Sequence, residues 1–221
     1  MIVRKAVLLL AILATGCRAG PTLTSGTAPP VLTVHSIAVI DAAAAGALTR
    51  KAEIPLDGQP EGFAVDDLRG VFFTNLEDKD RTLRIDVRSR RVTTTWLPGC
   101  GDDGPKGLAL DQALDFLFVA CRDRVMVLDA GRDGRRLSTI DVGDGIDNID
   151  YVERRHELYA AAARAARLVV ARLDAQGGLT PVVSVATVSG ARNAVASDDG
   201  VAYLTDSREG KLLVVAPAAS R

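Results

Sequence analysis

The sequence predicts an all-β fold, a β-propeller of repeated four-stranded blades, and three observations carry that reading. A block returns four times with small changes: PEGFAVDDLRGVFFTN from Pro60, PKGLALDQALDFLFVA from Pro105, IDNIDYVERRHELYAA from Ile146 and ARNAVASDDGVAYLTD from Ala191. The spacings are 45, 41 and 45 residues, a period of propeller-blade length. Each block holds short β-branched or aromatic runs bounded by Gly and Asp, the pattern of strand and turn. One such unit cannot bury its own two faces, so the repeats must pack on each other.

The elements follow in order from the repeat. In the first full unit, residues 62–66 read as an inner strand, 70–75 as the second, 82–87 as the third and 91–97 as the outer one. The third strands match best, as SIAVID at Ser36, TLRIDV at Thr82, VMVLDA at Val125 and RLVVARLD at Arg167. Most close on Asp, which suits the turn that follows. The alanine runs at Ala42 and Ala161 favour helix by composition, but both stand where the repeat requires a turn or strand end. Residues 31–56 supply two or three strands and residues 192–217 three more, around three four-stranded units. The expectation is about five blade-like units in one domain over residues 31–221, with closure of the ring left open. An unclosed ring would leave strand edges free to pair.

The first 17 residues read as a targeting segment. Arg4 and Lys5 precede an apolar run from Ala6 to Ala14, too short to span a bilayer. The residues Ala14-Thr15-Gly16-Cys17 resemble a bacterial lipobox, which implies that Cys17 is lipidated and becomes the mature N-terminus. Ordinary secretion with Cys17 incidental is the alternative. Residues 18–30, RAGPTLTSGTAPP, offer little to bury and read as a flexible tether. The implied location is the bacterial cell envelope, with the membrane as a partner through the lipid.

Composition bounds the remainder. The net charge of −1 gives no support for a nucleic-acid partner. There is no G-x-S-x-G, H-E-x-x-H or CxxC in the chain, so common hydrolase, zinc-protease and redox signatures are missing. Of the two histidines, His35 stands at the first strand and His156 in the turn ERRHE, where solvation is the expected role. Trp96, on an outer strand, reads as packing between blades.

Two cysteines remain once Cys17 is assigned to lipid. The repeat puts Cys100 in the link from an outermost strand to the next inner strand, and Cys121 at the end of the second strand of that next blade. Both points fall on the same rim, and an exported protein favours pairing. A Cys100–Cys121 disulfide is the leading expectation, with free thiols or a metal pair as alternatives. No CxxC or neighbouring His speaks for a metal.

The chain from GQPEGFAVDD through FFTNLEDKDRTLRIDV, WLPGCGDDGPKGLALD and FLFVACRDRVMVLDA to IDVGDGID resembles the YncE-like, YVTN-repeat propellers of bacteria, over roughly residues 31–217. The likeness includes the positions of both cysteines. The tetrapeptide itself is degenerate, as FFTN at Phe72 and LYAA at Leu158. The resemblance implies an exported binding or scaffold protein. Members of that family have seven blades, about two more than this chain accounts for. Some are associated with DNA or cell-surface contact, which the charge balance here does not support.

Candidate site residues stand at the starts of the inner strands. Glu61, Lys106, Asp147 and Arg192 occupy one repeat position, alternating in sign, and Gly62, Gly107, Asn148 and Asn193 the next. Inner strands line a propeller's channel, so these side chains are expected near one mouth. They form either a self-neutralising set of rim charges or a polar site for a small ligand or protein. No cofactor is implied. A gluconolactonase or regucalcin-like lactone hydrolase would place Glu, Asn and Asp around a divalent metal. Glu61, Asn148 and Asn193 match that set by residue type alone. The acidic loop with Asp141, Asp144, Asp147 and Asp150 departs from the EF-hand pattern and reads as turn chemistry.

If Cys17 carries the lipid, Cys17→Ser should move the protein from the membrane fraction to the soluble one, because the tether has no other apolar anchor. Unchanged membrane retention would contradict the lipobox reading.

Overall fold

Among the described residues seventeen strands alternate with tight turns, and the only helical pieces are three single turns of 3-10 helix. The computed structural model describes residues 35–41 and 49–217. The targeting segment, Cys17, the tether and the alanine run at Ala42 lie outside the described residues. The chain divides into two compact units at Asp57 and Gly58.

The first unit contains an antiparallel hairpin of β1 (His35–Asp41) and β2 (Thr49–Leu56). The second contains four antiparallel meanders. Blade I is β3 (Pro60–Asp66), β4 (Val71–Leu76), β5 (Arg81–Asp86) and β6 (Arg91–Trp96). Blade II is β7 (Leu108–Asp111), β8 (Phe116–Ala120), β9 (Arg124–Asp129) and β10 (Arg135–Asp141). Blade III is β11 (Ile146–Val152), β12 (Glu157–Ala162), β13 (Arg167–Leu173) and β14 (Leu179–Ala186). Blade IV has three described strands, β15 (Ala191–Ala196), β16 (Ala202–Asp206) and β17 (Lys211–Val215). With the hairpin this makes five blade-like sheets, as the repeat predicts. The expected strands match within one or two residues. The alanine run at Ala161 ends β12 and enters a turn, as its place in the repeat requires.

The period-2 rule shows why these residues form strands buried on both faces. Along β8, Phe116, Phe118 and Ala120 join the core shared with blade III, while Leu117 and Val119, with Cys121 just beyond, join the core shared with blade I. Opposite them stand Leu158, Ala160 and Val169 on one side, and Val71, Phe73 and Trp96 on the other. A third core joins Tyr159, Ala161 and Leu168 of blade III to Ala191, Ala194 and Leu204 of blade IV. Each seam therefore uses one face from each of two sheets.

Trp96 packs between blades as expected. Its ring stacks on Phe73 with centroids 6.0 Å apart, and its Nε1 donates to Asp133 Oδ1 of blade II at 3.1 Å. Cys100 and Cys121 form the expected disulfide, with Cα atoms 5.2 Å apart, and staple blade I's exit to blade II. For a closed loop of this length the chain-entropy contribution is about 3 kcal/mol.

Two of the four aspartates around the loop after β10 serve structure separately. Asp144 pairs with Arg122 at 2.6 Å, and Asp150 Oδ2 accepts from the Ala196 amide at 2.8 Å. His156 is exposed, but its Nδ1 lies 3.3 Å from the Tyr151 hydroxyl, which donates to the buried Asp111 at 2.6 Å.

Candidate site at the inner rim

The site arises from the way each inner strand begins. The β3/β4, β11/β12 and β15/β16 registers all shift at the same repeat position, between Glu61 and Phe63, Ile146 and Ile149, and Arg192 and Val195. An extra residue at a bulge bends the strand and re-aims its side chains. Gly62 adopts φ +62° there, and a Cβ would come within 2.6 Å of the Lys106 carbonyl oxygen. Glycine meets both demands, the left-handed backbone and the close approach. Asn193, at the same repeat position, also has φ +58°, which Asn tolerates better than most residues.

Hydrogen bonds join these strand starts across the seams. Thr74 Oγ1 donates to Gly62 O at 2.8 Å, and Asn75 Nδ2 donates to Lys106 O of the next blade at 2.6 Å. Thr82 Oγ1 in turn donates to Asn75 Oδ1 at 2.7 Å, so both ends of this buried amide are engaged. The Gly107 amide donates to Asp147 O of blade III at 2.8 Å. The Thr-Asn pair of FFTN is thus a fastener, one side chain for its own blade and one for the next.

The structure brings the expected side chains together and adds one. Arg192 Nη1 lies 3.3 Å from Asp147 Oδ2. Lys106 Nζ pairs with Glu77, from the turn after β4, rather than with its repeat neighbour Glu61. Glu77 lies outside the inner strands, so the repeat does not mark it. Its signal was its place directly after the end of β4, on the rim where the next inner strand begins. Glu61 feels all four of these charges. Burial raises its pKa first, Glu77 and Asp147 raise it further, and Lys106 and Arg192 only partly offset them, so its carboxyl sits above the ordinary glutamate value. Asn193 Oδ1 is buried with no hydrogen-bond partner among the described residues. Asn148 Oδ1 lies near Gly107, where a Cβ would approach within 3.0 Å of it.

Three carboxylates and two cations thus meet at the inner ends of adjacent blades. The arrangement can accept a donor or cation at Glu61 and an acceptor or anion at Lys106 or Arg192. Among the described residues, no three His, Cys, Asp or Glu side chains are grouped to hold a metal ion. None of the described helices is long and apolar enough to cross a membrane.

The buried carboxylate of Glu157 belongs to the scaffold. Burial would push Glu157 up, but hydrogen bonds from Arg155 at 2.6 Å, Tyr159 at 2.8 Å and Arg172 at 3.0 Å outweigh it and hold the carboxyl below its usual range. Its sequence neighbours gave no sign that three donors converge on it.

No family model and no curated protein matches the chain. Solved structures do. A candidate 6-phosphogluconolactonase from Bacteroides uniformis aligns with a TM-score of 0.67 at 13% identity, covering 83% of this chain and 60% of that one. A Lactobacillus plantarum protein aligns with a TM-score of 0.64 at 15% identity, covering 81% and 64%. The WD40 β-propeller domain of Doa1 aligns with a TM-score of 0.63 at 12% identity, covering 81% and 56%. The chain spans less than two thirds of the length of each. Together with the sheets described, these likenesses define the fold class as a β-propeller.

The charge set makes a signed prediction. The folded state binds a proton at Glu61 more tightly than the unfolded chain does, so ionised Glu61 costs stability above its folded pKa. That cost disappears as pH falls below the unfolded value. Glu61→Gln should therefore raise stability at about pH 8 by up to about 1 kcal/mol and give no gain near about pH 4. Denaturant unfolding at the two pH values checks this, and a loss of stability at the higher pH would contradict the geometry.

Proposed function

We propose that the protein is an exported, lipid-anchored β-propeller of the YncE-like kind, a binding module of the bacterial cell envelope that takes a small polar ligand at the inner rim. One observation carries the binding reading: Glu61, Glu77, Lys106, Asp147 and Arg192 converge at the inner ends of the blades, with Glu61 ionising against the preference of the fold. Charges arranged only for stability would relieve that carboxylate. A ligand bearing charges of both signs fits the set better than a simple ion, because acceptors and donors alternate within it. The likeness to WD40 propellers supports a binding role through the fold, and the lipobox and tether support the envelope location. The lactone-hydrolase alternative rests on the fold likeness to the candidate 6-phosphogluconolactonase and on the residue types of Glu61, Asn148 and Asn193. The charge set favours the binding reading over it.

The test uses compact zwitterions, glycine, β-alanine and γ-aminobutyrate, whose opposite charges stand progressively further apart. In an NMR titration at least one should give saturable shifts at the amides of Gly62, Gly107, Asn148 and Asn193. Lys106→Ala and Arg192→Ala should each abolish the shifts while costing at most about 1 kcal/mol of stability. No shift from any probe, or a stability loss of several kcal/mol, would overturn the reading and leave the cluster as structural ion pairs.

A further inference from the structure

On the opposite rim, between blades II and III, a cleft of about 580 Å³ opens beside the outer strands. That volume is within the range of small-molecule sites. Its apolar side is Leu114, Phe116 and Leu137, all packed on the core between the two blades. Its polar side carries Arg132 and Arg135, both largely exposed, whose Nε and Nη2 each stand 3.8 Å from the same oxygen of Asp129. That distance is too long for a hydrogen bond. Two guanidiniums thus share one nearly buried carboxylate, and their donors remain unspent among the described residues. Asp115 also lines the cleft, beside Gly131, where a Cβ would come within 2.9 Å of its Oδ2, and it faces Arg69 at 3.9 Å, while Arg69 is also held by Asp66 and by Gln112 O.

Both walls are fixed from outside the cleft. The turn 130–134, which leads from Arg132 toward Arg135, is seated on Trp96 of blade I. Trp96 Nε1 donates to Asp133, and a Cβ at Gly134 would fall within 2.4 Å of the indole ring. The facing turn 174–178, which carries Gln176, is held by Ser138 Oγ donating to Gly177 O at 2.6 Å. Asp174 Oδ1 accepts from the Gln176 and Gly178 amides within the same turn. A cavity whose walls are held by neighbours rather than by its own contents is preorganised for a ligand.

We propose that this cleft binds a carboxylate attached to an apolar or aryl body. The carboxylate would take the paired guanidiniums of Arg132 and Arg135, a geometry suited to forked recognition. The apolar part would lie over Phe116, Leu114 and Leu137. A free aryl acid and a peptide ending in an apolar residue present the same chemistry.

The probe is 4-phenylbutyrate, with 4-phenylbutyramide as its uncharged match and N-acetylglycylphenylalanine as the peptide form, each titrated into the isotope-labelled full chain. The acid should shift the amides of Leu114, Gly131, Leu137 and Gln176 with roughly millimolar affinity, as expected of a fragment. The amide should bind at least about tenfold more weakly, and so should the acid to the Arg132→Ala/Arg135→Ala double variant. Both arginines are exposed, so the variant should keep the spectrum of the folded protein. Binding of the peptide form as well as the acid upholds the proposal and points to a chain terminus. Binding of the acid alone upholds it and points to a small molecule. No saturable shift, equal binding of acid and amide, equal binding by the double variant, or shifts confined to the inner rim would overturn it.

Discussion

A four-stranded sheet has two faces, and this chain has no helix among its described residues long enough to cover either. Each blade is therefore stable only through its neighbours. The alternation along β8 makes the dependence concrete: Phe118 is buried against blade III and Val119 against blade I. Burial of a large apolar side chain contributes about 1.5–3 kcal/mol, so each seam draws on many such terms from two sheets at once. Seams of this kind cannot form one blade at a time. The disulfide between Cys100 and Cys121 and the seat of Gly134 on Trp96 both reinforce the first seam.

The same constraint places both candidate sites. Packing brings the inner strands of blades I to IV side by side, and their polar ends must then be paired across the seams. Asn75 and Gly107 do this with buried hydrogen bonds. The bulges that allow such bonds re-aim Glu61, Asp147 and Arg192 toward one another. On the other rim the seam leaves a cleft, bounded by the blade II turn seated on Trp96 and the blade III turn bonded to Ser138. Both candidate sites thus lie at the ends of seams rather than within a blade.

Much of this was legible in the sequence, for physical reasons. A repeat must present equivalent residues at equivalent places, so the inner-strand position of Glu61, Lys106, Asp147 and Arg192, the link carrying Cys100 and the packing role of Trp96 followed from spacing alone. What was not legible depends on turns. Glu77 takes Lys106 away from Glu61 because the chain curls through a 3-10 turn after β4, a path that composition does not specify. Inner strand β3 begins two residues earlier than its apolar pattern suggests, because the bulge absorbs the extra residue at Gly62. Glu157 carried no signal in the sequence, since its three donors come from a turn and two strands. The convergence of Arg132 and Arg135 on Asp129 depends on the path of the β9–β10 turn, which composition does not specify.

Hydrogen exchange on a Phe118→Ala variant tests most directly the claim that blades are stable only through shared seams. Removing this buried ring should cost about 3–5 kcal/mol. If the seam is a shared unit, protection falls by a similar amount at Leu158, Ala160 and Val169 of blade III as at Phe116 and Val127 of blade II. Loss of protection confined to blade II, with blade III unchanged, would contradict the account.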